Sequence, residues 1–198
     1  MRQSILTAII EIASGRTYEE YMRRELLDRA GLKDTGFWGT PDARSVAPMI
    51  RDELARSLIE DWGFKGAGGL FSTTHDLLRW YDALRNHRIL NEASLQQFFA
   101  PHVKVSVGDY AYGWIVSMTC RGTREWWTRG AEEAGANGIM MAFPEEGFTC
   151  IILSHAGEFQ GTPYSRVIGD RINALMFPQW SLRGARFDLR DPVTDADV

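Results

Sequence analysis

The run Gly138-Ile-Met-Met-Ala-Phe-Pro-Glu-Glu-Gly-Phe-Thr-Cys-Ile-Ile-Leu-Ser154 sets two short apolar segments on either side of four turn-forming residues. Segments 138–143 and 148–154 are too short for ordinary helices and rich in aromatic and aliphatic side chains, which predicts strands. Between them, Pro144 fixes its own φ and Gly147 tolerates a left-handed backbone, so Pro144-Glu-Glu-Gly147 predicts a hairpin turn. Segments 110–118 and 125–128 have the same aromatic and aliphatic character. The last third of the chain therefore predicts at most four antiparallel strands.

Working outward, the earlier sequence changes period. Apolar residues at 5, 6, 9, 10, 12 and 13 form a helical stripe over 3–13, closed by Ser14-Gly15. Thr17-Tyr-Glu-Glu20 has the spacing of a capping box and opens a second helix that runs to about Ala30 and stops at Gly31. Glu19 with Arg23 and Glu20 with Arg24 are spaced as i,i+4 ion pairs on its wet face. Segment 33–61, with Pro41 and Pro48, reads as loop, and Gly66-Ala-Gly-Gly69 as a sharp turn. Ser72 or Thr73 caps a further helix whose Asp76 sits near the positive end. Its expected buried face is Leu77, Leu78, Trp80, Tyr81 and Leu84. Asn91 caps a short helix that ends near Phe99. A closing amphipathic helix is expected over 162–177, with Val167, Ile168, Ile172, Leu175 and Met176 inward, and the tail 178–198 is polar. Helices followed by antiparallel strands and a final helix predict an α+β fold.

Composition narrows the function classes. The chain has 198 residues, 44% hydrophobic and 12% aromatic, with a net charge of −4 and no long run of either sign. Nothing in that balance matches a nucleic-acid backbone, and the longest apolar runs are too short to cross a bilayer. Residues 1–15 resemble a signal peptide only superficially: Glu11 interrupts the run and no Ala-x-Ala pattern follows. Cys120 and Cys150 lie in strand-like segments. They are too few for a disulfide framework and are expected as buried thiols, although they could be sheet neighbours. His75, His87, His102 and His155 are scattered without metal-ligand spacing. Ser154 and His155, adjacent on a strand, point to opposite faces and make a poor nucleophile–base pair. The 66–69 glycines lack the Gly-Lys-Ser/Thr ending of a phosphate loop, and no Gly-x-Ser-x-Gly elbow occurs. Trp126-Trp127 alternates across one strand. One ring is expected to pack inward and the other to line a groove or cover the sheet.

Four segments in order carry a resemblance. They are 5–15 with Tyr18-Glu-Glu-Tyr21; Leu26-Leu-Asp-Arg-Ala-Gly-Leu-Lys-Asp-Thr-Gly-Phe37; Gly66-Ala-Gly-Gly-Leu-Phe-Ser-Thr73 with Asp76-Leu-Leu-Arg-Trp80; and Tyr112-Gly-Trp114 followed by Arg129-Gly130, Pro144 and the hairpin. Together they resemble the serine beta-lactamase/penicillin-binding-protein superfamily, and within it the class C beta-lactamase-related serine hydrolases, which include esterases and D-aminopeptidases. The resemblance implies a beta-lactamase/transpeptidase-like fold in part: helices plus an antiparallel sheet with a closing C-terminal helix. It also implies hydrolysis of a small amide or ester through an acyl-serine intermediate, without metal or organic cofactor.

That chemistry uses three elements. Ser-x-x-Lys sets a nucleophile and a lysine base one helical turn apart. Tyr-x-Asn or Ser-x-Asn adds a proton relay and a substrate-holding amide. Lys/His-Thr/Ser-Gly on a strand lines the pocket and supplies an oxyanion-hole N–H. The only lysines are Lys33, Lys65 and Lys104, preceded at three places by Ala30, Trp62 and Pro101, so the first element is absent. No Tyr or Ser has Asn two places later, so the second is absent too. Thr128-Arg129-Gly130 is the best fit to the third. Gly130 would let substrate approach, Thr128 stands where a basic residue is usual, and Arg129 points to the other face. Ala131 would offer the oxyanion-hole N–H. The resemblance thus assigns substrate-binding roles to Thr128, Gly130 and Ala131 and a catalytic role to no residue. Laid on the family pattern, 3–13 puts the Asn of the second element just before Met1. Residues 1–177 would then be the C-terminal portion of the family domain, with 178–198 as tail. The expected function is a serine-hydrolase fragment, inactive alone, whose partner would be a missing N-terminal half. The alternative is a non-catalytic module that binds a peptide or cell-wall fragment.

Overall fold

The computed structural model describes residues 2–37, 65–119, 121–131, 136–155, 157–159 and 162–176. Most of the 33–61 loop, Cys120 and the tail 178–198 lie outside the described residues. Helix α1 (Arg2–Ser14) ends where Gly15 takes φ 67° and its N–H reaches Glu11 O. Thr17 then opens α2 (Tyr18–Met22): its hydroxyl accepts from Glu20 N–H while the Glu20 carboxylate accepts from Thr17 N–H. Glu11 ties the two helices by accepting the Tyr18 N–H at 2.8 Å. The second rod continues through a π-helical turn (Arg23–Leu27) into α3 (Asp28–Ala30) and stops at Gly31, φ 77°. Where the two meet, Arg23 N–H still bonds Glu19 O. The Glu19 carboxylate meets Lys65 Nζ at 2.8 Å, and the Glu20 carboxylate is held by the cap.

Strands β1 (Gly36–Phe37) and β2 (Leu70–Phe71) pair antiparallel. Thr73 caps α4 (Thr74–Arg85) through Asp76 N–H, and Asn91 caps α5 (Glu92–Phe98) through Ser94 N–H. The strands that follow are β3 (Val103–Val105), β4 (Gly108–Tyr110), β5 (Ile115–Met118), β6 (Arg124–Ala131), β7 (Asn137–Phe143) and β8 (Phe148–Ser154). They form one antiparallel meander in chain order. A short pair, β9 (Glu158–Phe159) and β10 (Thr162–Pro163), leads into α6 (Tyr164–Met176).

This is an α+β architecture, but the sheet exceeds the four strands expected. The 110–118 segment breaks at Gly113, φ 80°, where Ala111 N–H bonds Trp114 O, and so yields two strands. The β3–β4 hairpin escapes a pattern search because Val103, Lys104 and Val105 are all exposed. The predicted hairpin is present, with Phe143 opposite Phe148 and Met141 opposite Cys150, and Gly147 at φ 65°.

Strand alternation divides the interior. Trp126, Met140, Ala142 and Ile151 pack with Tyr81, Leu84, Phe99 and Trp114 beneath α4 and α5. Trp127, Ile139, Met141, Phe143 and Cys150 pack beneath α6 with Ile172. Both faces are therefore covered, so neither Trp126 nor Trp127 is an outward ring. Trp126 stacks on Phe99 at 4.0 Å, and Trp127 lies under the Arg166 guanidinium. A third cluster joins Tyr18, Leu27, Ala30, Leu32, Phe37 and Ala83 in the helical region.

Two helices seat themselves through small and polar residues. In α6 the buried positions are Ser165 and Gly169, whereas Ile168, Leu175 and Met176 are exposed. The cause is close approach: a Cβ on Gly169 would lie 2.6 Å from Met141 Cε, so the helix touches the sheet through its small residues. In α1, Ser4 and Thr7 are buried while Ile5, Leu6, Ile9 and Ile12 are exposed. Thr7 Oγ1 donates to Lys65 O at 3.2 Å, a contact no aliphatic side chain could make. Leu78 of α4 also lies outside the buried face.

Candidate functional site

The sequence-derived site residues lie on the second half of β6. Strand β5 pairs with Trp127, Trp126, Glu125 and Arg124 only, so 128–131 run beyond it. On the other side β7 continues the ladder, with Thr128 opposite Met140, Gly130 opposite Gly138 and Ala131 opposite Asn137. By the period-two rule, Thr128 and Gly130 share the face of Trp126, toward α4 and α5, and Arg129 shares the face of Trp127. Arg129 is exposed.

Three contacts fix this overhang. Thr128 Oγ1 donates to Gly113 O at 2.8 Å, which anchors β6 to the Ala111–Trp114 turn. Asn137 is buried. It donates to Gly157 O at 2.8 Å and accepts the Ser165 N–H at 2.9 Å, holding the start of β7 against the α6 N-terminus. Leu153 lies across Gly138, where a Cβ would stand 2.8 Å from Leu153 Cδ2. Gly130 differs from its neighbour: a Cβ there meets no atom within 4 Å. Its smallness is not demanded by packing, and a side chain there would meet open space, among the described residues.

The second and third motif segments meet at one carboxylate. Asp76 is fully buried and accepts from Asp34 N–H at 2.7 Å, Thr35 Oγ1 at 2.8 Å and Arg79 Nη1 at 2.6 Å. Thr35 Oγ1 also lies 2.8 Å from Ser72 Oγ. Burial alone would raise the Asp76 pKa. The hydrogen bonds from Thr35, Asp34, Arg79 and Lys33 outweigh it and hold the carboxyl below its usual range. The group is thus a structural latch between the β1 loop and α4, rather than a proton carrier.

The turn carboxylates of the hairpin are clamped from the neighbouring turn. Glu146 accepts from Arg121 Nε and Thr123 Oγ1, both at 2.6 Å, and Glu145 accepts from Arg124 Nε at 2.7 Å. Glu125 faces α6. Burial raises its pKa against the opposing pull of Arg166 and the Ser117 hydroxyl. Cys150 is a buried free thiol, and burial pushes its pKa up. His87 Nε2 lies 3.2 Å from Glu92 Oε2, and the His102 ring is tilted against Tyr112 with ring centroids 4.5 Å apart. Among the described residues, no group of three His, Cys, Asp or Glu side chains could hold a metal ion.

Three contributors to the overhang escaped sequence reasoning: Asn137, Leu153 and the Gly113 carbonyl. A polar Asn at the head of an apolar strand was the available signal for the first. Gly113 stood inside a recognised segment without a role.

The chain compares with known proteins as follows. The Beta-lactamase family profile matches residues 3–172. Penicillin-binding protein 4* of Bacillus subtilis (strain 168) is 26% identical over 195 residues, covering 88% of this chain and 42% of that protein. The putative penicillin-binding protein PbpX of the same organism is 25% identical over 127 residues, covering 58% and 30%. The chain therefore spans less than half the length of these curated relatives. Among solved structures, a penicillin binding protein from Bacillus halodurans superposes with a TM-score of 0.66 at 19% identity, covering 86% of this chain and 53% of that one. D-amino acid amidase from Ochrobactrum anthropi SV3, complexed with L-phenylalanine, gives 0.66 at 19% identity, covering 88% and 57%. The fold is thus a mixed helix and antiparallel-sheet arrangement of the kind those proteins share. With the profile matched along most of its length, the chain belongs to the Beta-lactamase family.

Proposed function

We infer that this chain forms one wall of a serine-hydrolase site that acts on a small amide or ester through an acyl-serine intermediate. On this reading residues 1–177 are the C-terminal part of the domain, 178–198 are a tail, and the chain alone does not turn over substrate. The observation that carries the reading is the open face at Gly130 on the β6 overhang, within a family whose members act beside such a strand. Thr128 would border the substrate, Gly130 would let it lie against the backbone, and the Ala131 N–H would stabilise the oxyanion of the tetrahedral intermediate. The nucleophile and its lysine would come from outside these 198 residues, since the chain has no Ser-x-x-Lys.

The test has two arms. Purified chain is assayed with a chromogenic ester, a chromogenic beta-lactam and D-phenylalanine amide, and then titrated with the same compounds by tryptophan fluorescence. The expected result is no hydrolysis above a heat-killed control, with saturable binding that Gly130→Val abolishes. Turnover by the isolated chain would overturn the reading of inactivity. Binding that survives Gly130→Val would move the site elsewhere.

A second reading is supported by the same overhang. Thr128–Ala131 reach past β5 with Gly130 unobstructed, and an extended peptide or cell-wall fragment could add along that edge without any nucleophile. Tight binding of a peptidoglycan peptide that stays intact, even when the rest of a family domain is supplied, would favour this module over the hydrolase part.

A further inference from the structure

The β4–β5 hairpin turns at Tyr112-Gly113, where Gly113 takes φ 80° and Ala111 N–H closes on Trp114 O. Its tip lies alongside the β6 overhang. The last β5–β6 pair sets Ile115 opposite Trp127, so the same register continued by one residue brings Trp114 level with Thr128. Thr128 Oγ1 donates to Gly113 O at 2.8 Å and ties the tip to the strand. Tyr112 therefore stands at the border of the open position at Gly130. Its N–H bonds Phe98 O, and Phe98 belongs to the cluster that holds Trp126, so this end of the tip lies on the side of the sheet that Thr128 and Gly130 face. The Tyr112 side of the tip is wet, with the residue 60% exposed, yet its ring is not loose. It leans on His102 with ring centroids 4.5 Å apart and planes at 58°. His102 is itself fixed, by its N–H to Tyr110 O at 2.9 Å and by Nε2 at 3.2 Å from Gln97 O.

We propose that Tyr112, backed by His102, is a specificity-determining wall of the site beside Gly130, and that it selects amides or esters whose side group is an aromatic ring. The inference rests on the reading that a small ligand lies along Gly130, and it names the class of that ligand. Two features favour an aromatic group over a charged or small one. The polar side chains of the overhang are engaged elsewhere: the Thr128 hydroxyl donates to Gly113 O, and Arg129 lies on the opposite face by the alternation of the strand. What remains beside the glycine is the face or edge of a tyrosine ring, which another ring covers in offset or edge-to-face packing and a methyl group leaves mostly wet. A ring already held by His102 also loses little freedom when a ligand packs on it, so the contact is pre-organised.

The test titrates the 198-residue chain by calorimetry with two probes that differ only in the ring, D-phenylalanine amide and D-alanine amide. The wild type should bind the phenyl compound about ten-fold tighter, the size of effect an aromatic pair supplies. Tyr112→Ala should bring the two affinities together. Tyr112→Phe should keep the preference, because the ring and not the hydroxyl makes the contact. A second measurement needs no variant: in proton NMR spectra of the wild type, the phenyl compound should shift the ring signals of Tyr112 and His102, and D-alanine amide should not. Equal affinities in the wild type, or a preference that survives Tyr112→Ala, overturn the inference. If Gly130→Val still abolishes binding of both probes in that case, the overhang reading stands without the wall. A preference that Tyr112→Ala removes, with binding that Gly130→Val leaves intact, keeps the wall and refutes the role of Gly130. Absence of binding by either probe overturns both.

Discussion

Replacing Asp76 by Ala should cost about 2–4 kcal/mol of folding stability. The magnitude follows from its partners. A buried acceptor lost beneath the Asp34 N–H leaves that donor unsatisfied, at about 1–3 kcal/mol. The Thr35 hydroxyl keeps Ser72 Oγ at 2.8 Å, and Arg79 is half exposed, so water and Ser72 recover part of the remaining loss. The total sits at or below the ~3–5 kcal/mol typical of breaking a buried ionic pair. With a urea dependence of about 2 kcal/mol per molar, the midpoint should fall by about 1–2 M. Asp76→Asn, which keeps one carbonyl acceptor, should lose about half as much. The sign with pH is also fixed. The folded pKa is depressed, so the latch contributes fully above the unfolded value of about 3.9 and fades as pH falls through the folded pKa. The gap between wild type and Asp76→Ala should therefore stay constant from pH 8 to about pH 5 and shrink below pH 4. A gap under 0.5 kcal/mol at neutral pH, or one that widens on acidification, would refute the reasoning.

The remaining expectations concern packing and charge. Gly130→Ala, which meets open space, should leave thermal stability within about 0.5 kcal/mol of wild type. Gly138→Ala, pressed on Leu153, should cost about 1–2 kcal/mol, and equal melting points for the two variants would contradict the geometry. Gly169→Ala should lose about 1–3 kcal/mol because Met141 Cε must yield; Gly169→Leu should unseat α6, visible as loss of near-ultraviolet circular dichroism from Trp127. Glu125, whose pKa is raised mainly by burial, should behave opposite to Asp76. Its contribution is present below the unfolded value of about 4.3 and is lost as pH rises through the folded pKa, so Glu125→Gln should gain stability relative to wild type as pH climbs from 4 to 8. A chemical-denaturation series over that range checks it.

How far the fold could be read from the sequence depended on how local its causes were. Thr17 with Glu20, Thr73, Asn91 and Gly31 are caps whose partners lie within four residues, and each acts as its spacing predicts. The β7–β8 hairpin was equally local. What failed was the direction of the closing helix's apolar stripe. The residues of α1 and α6 obey a helical period, but which side meets the body was settled by Thr7 reaching Lys65 O and by Gly169 meeting Met141. Those are contacts across long sequence separations that periodicity does not encode. Asp76 was recognised as favourable at a helix start, yet its burial depends on Asp34 and Thr35, some forty residues away. At the site, motif spacing located Thr128, Gly130 and Ala131 on one strand. The open space beside Gly130 and the overhang past β5 needed coordinates. Asn137, Leu153 and the Gly113 carbonyl entered through tertiary contact alone.

The neighbouring indoles of Trp126 and Trp127 have a practical consequence. One peptide bond separates two optical reporters that look into different interiors, one stacked on Phe99 under α4 and α5, the other beneath α6. In a background whose other five tryptophans are Phe, replacing either by Phe leaves the other to watch its own layer. If the layers melt together, the two emission traces superimpose; if α6 peels away first, the Trp127 trace leads.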